Sequence, residues 1–167
     1  MNILPPVLGS GPVPVWRVDP LRYAATWDSG EGARLFGGRW NPVGTRAVYM
    51  TLDPATVILE NVVHRGLAEM DTKPHVLTRA SIADPTLVRI VLPSEVPNPH
   101  WLVPSRPTEG QQAFGAALLA VHAFVLLPSV VSRHSWNLIF DPARAAGHYG
   151  GISQEPFALD PRLHPAP

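Results

Sequence analysis

Glu60 is the carboxylate least in keeping with its neighbours. It falls among Val57, Ile58, Leu59, Val62 and Val63, an apolar stretch in which a charge needs either solvent or a purpose. The functional reading is a carboxylate projecting into a pocket with a raised or partnered charge, and a glutamate on a solvated helix face is the competing reading. His64 follows four positions later and shares that face, but an E-x-x-x-H pair alone is no metal site. The run Gly37-Gly38-Arg39-Trp40-Asn41-Pro42 is the second candidate. Paired glycines let backbone approach a ligand closely. Arg39 offers a planar fork, Trp40 a flat apolar face and Asn41 an amide, although a tight turn with a packing tryptophan has equal standing. Arg17, between Trp16 and Val18, is the third. Tyr49 is read as a packing aromatic or a stacking platform. Ser129, after Pro128, is read as a hydroxyl at a strand bend.

Composition narrows the chemistry. The 167 residues are 46% hydrophobic and 16% charged, which excludes a disordered chain. Thirteen basic and thirteen acidic side chains cancel, and a non-specific nucleic-acid binder would show a basic excess. There is no cysteine, so disulfides, thiolate zinc sites and cysteine nucleophiles are excluded. Lys73 is the only lysine, so any anion must be met by arginine, whose fork suits bidentate binding. No P-loop, dinucleotide-binding glycine motif or G-x-S-x-G elbow is present; Gly30-Glu31-Gly32 is only G-x-G, and no helix pattern opens after it. No apolar run approaches the roughly 18 residues of a membrane span, and the N-terminus does not read as a secretory signal. The expectation is a soluble, cytoplasmic protein.

The elements that must position these residues are short. Twenty prolines and thirteen glycines argue against a helix bundle. Strands are expected at 13–18, 47–51, 76–82, 87–92, 124–131 and 136–140, with a short one near Phe157. Pro14 places the first at an edge or a strand start. Residues 19–46 read as a long glycine-rich loop, and 93–107 as a proline-rich connection. One helix opens at Asp53-Pro54 and ends by Gly66; a second runs over 108–122. This is an α+β pattern, one domain with a twisted mixed or mostly antiparallel sheet. Residues 1–12 form an arm, 13–163 the domain and 164–167 a tail.

Several runs follow one another in a fixed order: Trp16-Arg17-Val18, Gly37-Gly38-Arg39-Trp40-Asn41-Pro42-Val43-Gly44-Thr45, Val48-Tyr49-Met50, Leu59-Glu60, Pro128-Ser129-Val130-Val131 and Trp136-Asn137-Leu138-Ile139-Phe140-Asp141-Pro142. Together they resemble the RES domain family, the toxin half of bacterial RES–Xre toxin–antitoxin pairs, over about residues 13–163. Asp141-Pro142 stands where Asn-Pro is common in that family. The name-giving arginine, glutamate and serine are best matched by Arg17 or Arg39, Glu60 and Ser129, with Arg17 preferred and Arg39 kept as a site residue.

The resemblance implies an ADP-ribosyltransferase-like fold and cleavage of NAD by hydrolysis or phosphorolysis, or else transfer of ADP-ribose to a protein. NAD is then a consumed substrate; no cofactor or metal is implied, and inorganic phosphate is a candidate co-substrate. The breaking nicotinamide–ribose bond builds oxocarbenium-like charge, which Glu60 would stabilise. Arg17 and Arg39 would clamp the diphosphate, Tyr49 or Trp40 would stack on a ring, Asn41 would add an amide, and Ser129 would hold a ribose or the diphosphate. Arg34 or Arg46 would supply a phosphate site. The implied partner is an Xre-type helix-turn-helix antitoxin gating the 30–44 loop, with no direct nucleic-acid or membrane contact. The apolar helix 112–122 is a candidate homodimer face. Two alternatives compete: a ribonuclease-type toxin, which lacks an evident histidine pair here, and an inactive binding module, against which Arg17, Arg39, Tyr49, Glu60 and Ser129 together count.

Overall fold

Val13 and Val15 enter one apolar cluster, while Val18, with Trp16 beside it, enters another, as alternation along a strand requires. The computed structural model describes residues 8–163. In chain order they form β1 (Val13–Pro20), a 3-10 helix (Leu21–Thr26), α1 (Glu31–Phe36), β2 (Val48–Thr51), α2 (Pro54–Arg65), α3 (Leu67–Thr72), β3 (His75–Ile82), β4 (Val88–Ile90), α4 (Glu109–Val121), β5 (Phe124–Pro128), β6 (Trp136–Phe140), α5 (Pro142–Ala145) and β7 (Tyr149–Phe157). The strands make one seven-stranded sheet in the order β4-β5-β6-β2-β1-β3-β7. Only β4 and β5 run parallel; the other neighbours are antiparallel. The fold is α+β in a single domain, as the element pattern requires.

The joint between β2 and β1 is the weak seam of this sheet. β1 pairs with β3 along its whole length, from Val13↔Ile82 to Pro20↔His75. With β2 it makes a single register pair, Trp16↔Thr51. Beyond that pair the strands part.

Two helical layers hold the halves. Val57 of α2 and Met70 of α3 bury against Val18 and Leu159. α4 presents Gln111, Gly115 and Leu119, one face at helical spacing. Gly115 lies directly on Trp40: a Cβ there would stand 2.1 Å from the Trp40 carbonyl oxygen. The apolar face of α4 is therefore committed to its own core, and what it leaves exposed is Ala113, Ala117, Ala120 and Val121.

Several expected bounds change. β1 lies inside the sheet, so Pro14 marks a strand start and not an edge. Residues 19–46 are not bare loop. They hold the end of β1, the 3-10 helix and α1, a six-residue helix whose Glu31 and Arg34 pair at i,i+3. α3 and α5 were not expected, and β4 is shorter than 87–92. β5 stops at Pro128, where the chain turns with Ser129 N–H donating to the Ser135 carbonyl. β7 is nine residues long and mostly exposed, so it shows no apolar alternation for a sequence reading to catch. Of the expected arm, residues 1–7 lie outside the described residues, as does the whole tail 164–167. No helix among the described residues is long and apolar enough to cross a membrane.

Gly115→Ala forces α4 off the Trp40 backbone. It is expected to cost about 1–3 kcal/mol of stability, as overpacking does, read as a fall in the urea midpoint.

Candidate active site

A cleft of about 1030 Å³ opens where β1 and β2 part. Arg17, Val18 and Asp19 line it from β1 and Val48 to Thr51 from β2. The separation leaves the Tyr49 carbonyl without a β1 partner, and Arg17 Nη1 donates to it at 2.9 Å. The rest of that guanidinium is engaged too: Nε and Nη2 donate to the two Asp19 carboxylate oxygens at 2.8 and 2.7 Å. Arg17 is thus a brace across the split, with its fork closed on Asp19 and two N–H groups left over.

Glu60 comes from α2. Asp53 caps that helix, accepting from Thr56 N at 2.8 Å and from Thr56 Oγ1 at 2.7 Å. Glu60 follows Val57 by three positions, so both face the sheet and line the cleft. Its Oε1 accepts from Ser129 Oγ at 2.8 Å and from Asn137 Nδ2 at 2.9 Å. His64 Nε2 stands 3.6 Å from Oε2, an ion-pair distance when the imidazole is protonated. Burial is the largest single influence on the carboxyl and raises its pKa. The His64, Asn137 and Ser129 contacts together outweigh it and hold the group below the ordinary 4.5. Glu60 is therefore a partly buried carboxylate kept charged at neutral pH.

Ser129 is almost wholly buried. Its oxygen donates to Glu60 and accepts from Val131 N at 3.2 Å and Ser132 N at 3.0 Å. It fixes the carboxylate and has no free reach toward a ribose or diphosphate.

The glycine-rich run is a scaffold around one arginine. Trp40 has no exposed surface and belongs to the core with Val125, Leu127 and Ile139, so it offers no stacking face. Asn41 is equally buried; its amide donates to the Ala33 and Thr45 carbonyls at 2.9 and 3.0 Å. Its Oδ1 accepts from the Tyr49 hydroxyl at 2.7 Å, and that hydroxyl accepts from Trp40 N at 3.0 Å. Burial pushes the Tyr49 pKa well up, so the phenol stays neutral, and it is a tie rather than a platform. Gly38 is required by this knot, since a Cβ there would stand 2.6 Å from both Asn41 Oδ1 and Tyr49 Oη. Arg39 is different. Its Nη2 donates to the Ser105 carbonyl at 2.8 Å, while Nη1 is buried without a partner. Burial lowers its pKa and the nearby Glu60 and Tyr49 oppose that.

The remaining expected anion donors are engaged. Arg34 donates to Glu31 through Nε at 3.0 Å and Nη2 at 2.5 Å, and Arg46 pairs with the same carboxylate at 2.6 Å. Arg17, Arg39, Trp40, Tyr49 and Glu60 all line the cleft, while Ser129 and Asn41 stand behind it. Two residues were missed by the sequence reading. Asp19 carries a strand-period signal, two positions from Arg17. Asn137 lies inside the W-N-L-I-F-D-P run but was not singled out. Among the described residues no cluster of three histidine, aspartate or glutamate side chains could hold a metal ion.

Ser129→Ala removes one of the donors that lower the Glu60 pKa, so the carboxyl should titrate higher than in the unaltered protein. Because the folded pKa is depressed, Glu60 contributes stability above pH 4.5 and loses it as pH falls through the folded value. The variant should shrink that contribution. Carbon-13 NMR titration of the glutamate carboxyls, with acid denaturation alongside, checks both.

Comparison with known proteins gives this geometry a family. Residues 14–160 match the family described as the RES domain. A relative described as a Prs ADP-ribosylating toxin, from Sphingobium sp. (strain YBL2), is 33% identical over 139 residues, covering 77% of this chain and 81% of that protein. A Toxin Res from Photorhabdus laumondii subsp. laumondii is 28% identical over 153 residues, covering 89% and 96%. Among solved structures, a chain of the M. tuberculosis MbcT–MbcA toxin–antitoxin complex superposes with a TM-score of 0.70 at 20% identity, covering 89% of this chain and 86% of that one, a likeness of fold. With nearly the whole described domain inside the match, this chain belongs to the RES domain family.

Proposed function

We propose that this chain is the toxin of a toxin–antitoxin pair and that it breaks the nicotinamide–ribose bond of NAD. The observation that carries this reading is the Glu60 carboxylate, held charged by Ser129, Asn137 and His64 at the wall of a cleft large enough for a dinucleotide. The C1′–N1 bond breaks with its electron pair leaving on nicotinamide, and the ribose becomes oxocarbenium-like. A fixed carboxylate beside that carbon lowers the barrier without reorganising. An acceptor oxygen then bonds to C1′ and gives up its proton to solvent.

The other cleft residues suit the same ligand. Arg39 Nη1, buried and unpartnered, calls for an anionic oxygen such as one of the diphosphate. Arg17 has two N–H groups left after its three hydrogen bonds, counted from the five of a guanidinium. Since Trp40 and Tyr49 are turned into the scaffold, ring contact falls to Tyr23 and to Phe36, which line the cleft; Phe36 is 83% exposed. With Arg34 and Arg46 paired to Glu31, an acceptor phosphate would rely on Arg39. Water or phosphate as acceptor is the first reading. A protein side chain is the second, favoured by the description of the Sphingobium relative as an ADP-ribosylating toxin. An antitoxin partner is supported by the toxin–antitoxin complex that shares the fold, and we assign it to the Xre helix-turn-helix class.

Glu60→Gln keeps the shape and removes the charge. NAD turnover should fall by at least about 100-fold, followed by mass with and without phosphate; near-normal turnover overturns the assignment. Expressed alone, the protein should arrest growth and deplete NAD, and co-expression of the neighbouring helix-turn-helix gene should restore both. Harmless expression with unchanged NAD overturns the toxin reading.

A further inference from the structure

We infer that Asp19 is a positioning residue, which sets the direction of the Arg17 guanidinium in the cleft and thereby its hold on substrate. The inference rests on the proposed NAD chemistry. Arg17 and Asp19 are two apart on β1, so both point to the face that carries Val13 and Val15 into the core further up the strand. Where β2 departs, that face opens on the cleft. Asp19 is only 3% exposed, and both of its oxygens are used by one partner in a fork-to-fork pair of 2.8 and 2.7 Å. The third bond, from Nη1 to the Tyr49 carbonyl, fixes the guanidinium plane. The N–H groups that remain, one on Nη1 and one on Nη2, therefore have set directions, and the Arg17 side chain is still 25% exposed to the cleft.

Stability alone is a poor reason for such a pair. Taking two charges out of water costs about what their attraction returns, so the Arg17–Asp19 pair by itself adds little to the hold on β1. What the pair supplies is orientation. An arginine side chain with four rotatable bonds is set before ligand arrives, so the ordering cost is not charged to binding or to the reaction. Lysine at 17 cannot replace it, having no fork to match the carboxylate.

The test is a double-mutant cycle on the full chain: Asp19→Asn, Arg17→Lys and both together, with NAD turnover and melting temperature measured for each. Asp19→Asn should lower kcat/KM by about 10-fold or more while the melting temperature moves by only a few degrees. In the Arg17→Lys background the same change should cost less than about twofold, because the group it positions is gone. Equal losses in both backgrounds, or no loss in the first, overturn the inference while leaving the NAD reading intact. No turnover by the unaltered protein overturns that reading and this one with it. A measurement on the unaltered protein keeps the proposal falsifiable if Asp19→Asn does not fold: the Arg17 Nε–H should give a resolved, slowly exchanging NMR resonance, and rapid exchange at that site overturns the fixed guanidinium.

Discussion

The separation of β1 from β2 is the constraint on which the rest depends. A strand inside a sheet must place its N–H and C=O groups on both sides, and unpaired buried groups are costly. Here one register pair joins two strands that could have made a longer ladder. The Arg17 guanidinium takes the place of the missing strand neighbour at the Tyr49 carbonyl. One side chain thus completes the sheet and faces the cavity that its incompleteness creates. The same gap lets α2 bring a carboxylate to β6, where Asn137 pairs in register with Thr51.

Around that gap, support runs inward from the helices. Gln112 of α4 donates to the Gly38 carbonyl at 2.9 Å, and Gly115 seats the helix on Trp40. Trp40 N–H donates to the Tyr49 hydroxyl, which donates to Asn41. Tyr49 in turn lies on the strand whose carbonyl holds Arg17. The conspicuous glycine-rich run therefore does much of its work behind the cleft, and Arg39 is the charged side chain it contributes to the wall.

The residues legible in the sequence were those whose chemistry conflicts with local pattern. Glu60 in an apolar helix announced itself, and so did the Asp53-Pro54 start of that helix. Trp40 and Asn41 were misassigned because a motif gives residue types and order but not the side from which each residue serves a cavity. Trp40 borders the cleft but has no exposed surface, and Asn41 stands behind it. Ser129 was found, but its role was hidden, because its partner is 69 residues away and no local pattern records that pairing. Asp19 stayed unread beside Arg17, since an acid and a base two apart on a strand resemble an ordinary surface pair. Most of β7, of which only the end near Phe157 was expected, and all of α1 were lost for a different reason. They are stabilised by β3 across the sheet and by the ion pairs of Glu31 with Arg34 and Arg46, and hardly by apolar periodicity of their own.

The sequence distances inside the Glu60 cluster also have a meaning in time. Its two neutral donors come 69 and 77 residues after it. On a ribosome, α2 emerges long before Ser129 and Asn137 exist, and for that interval the carboxylate has only His64, on its own helix, beside it. β2 likewise waits for β6, its partner over four register pairs, and α4 must arrive before Trp40 is covered. The charged pocket is thus among the last things the nascent chain can assemble, and any product that terminates before residue 137 lacks it. For most of each round of translation the nascent chain therefore carries no assembled carboxylate pocket.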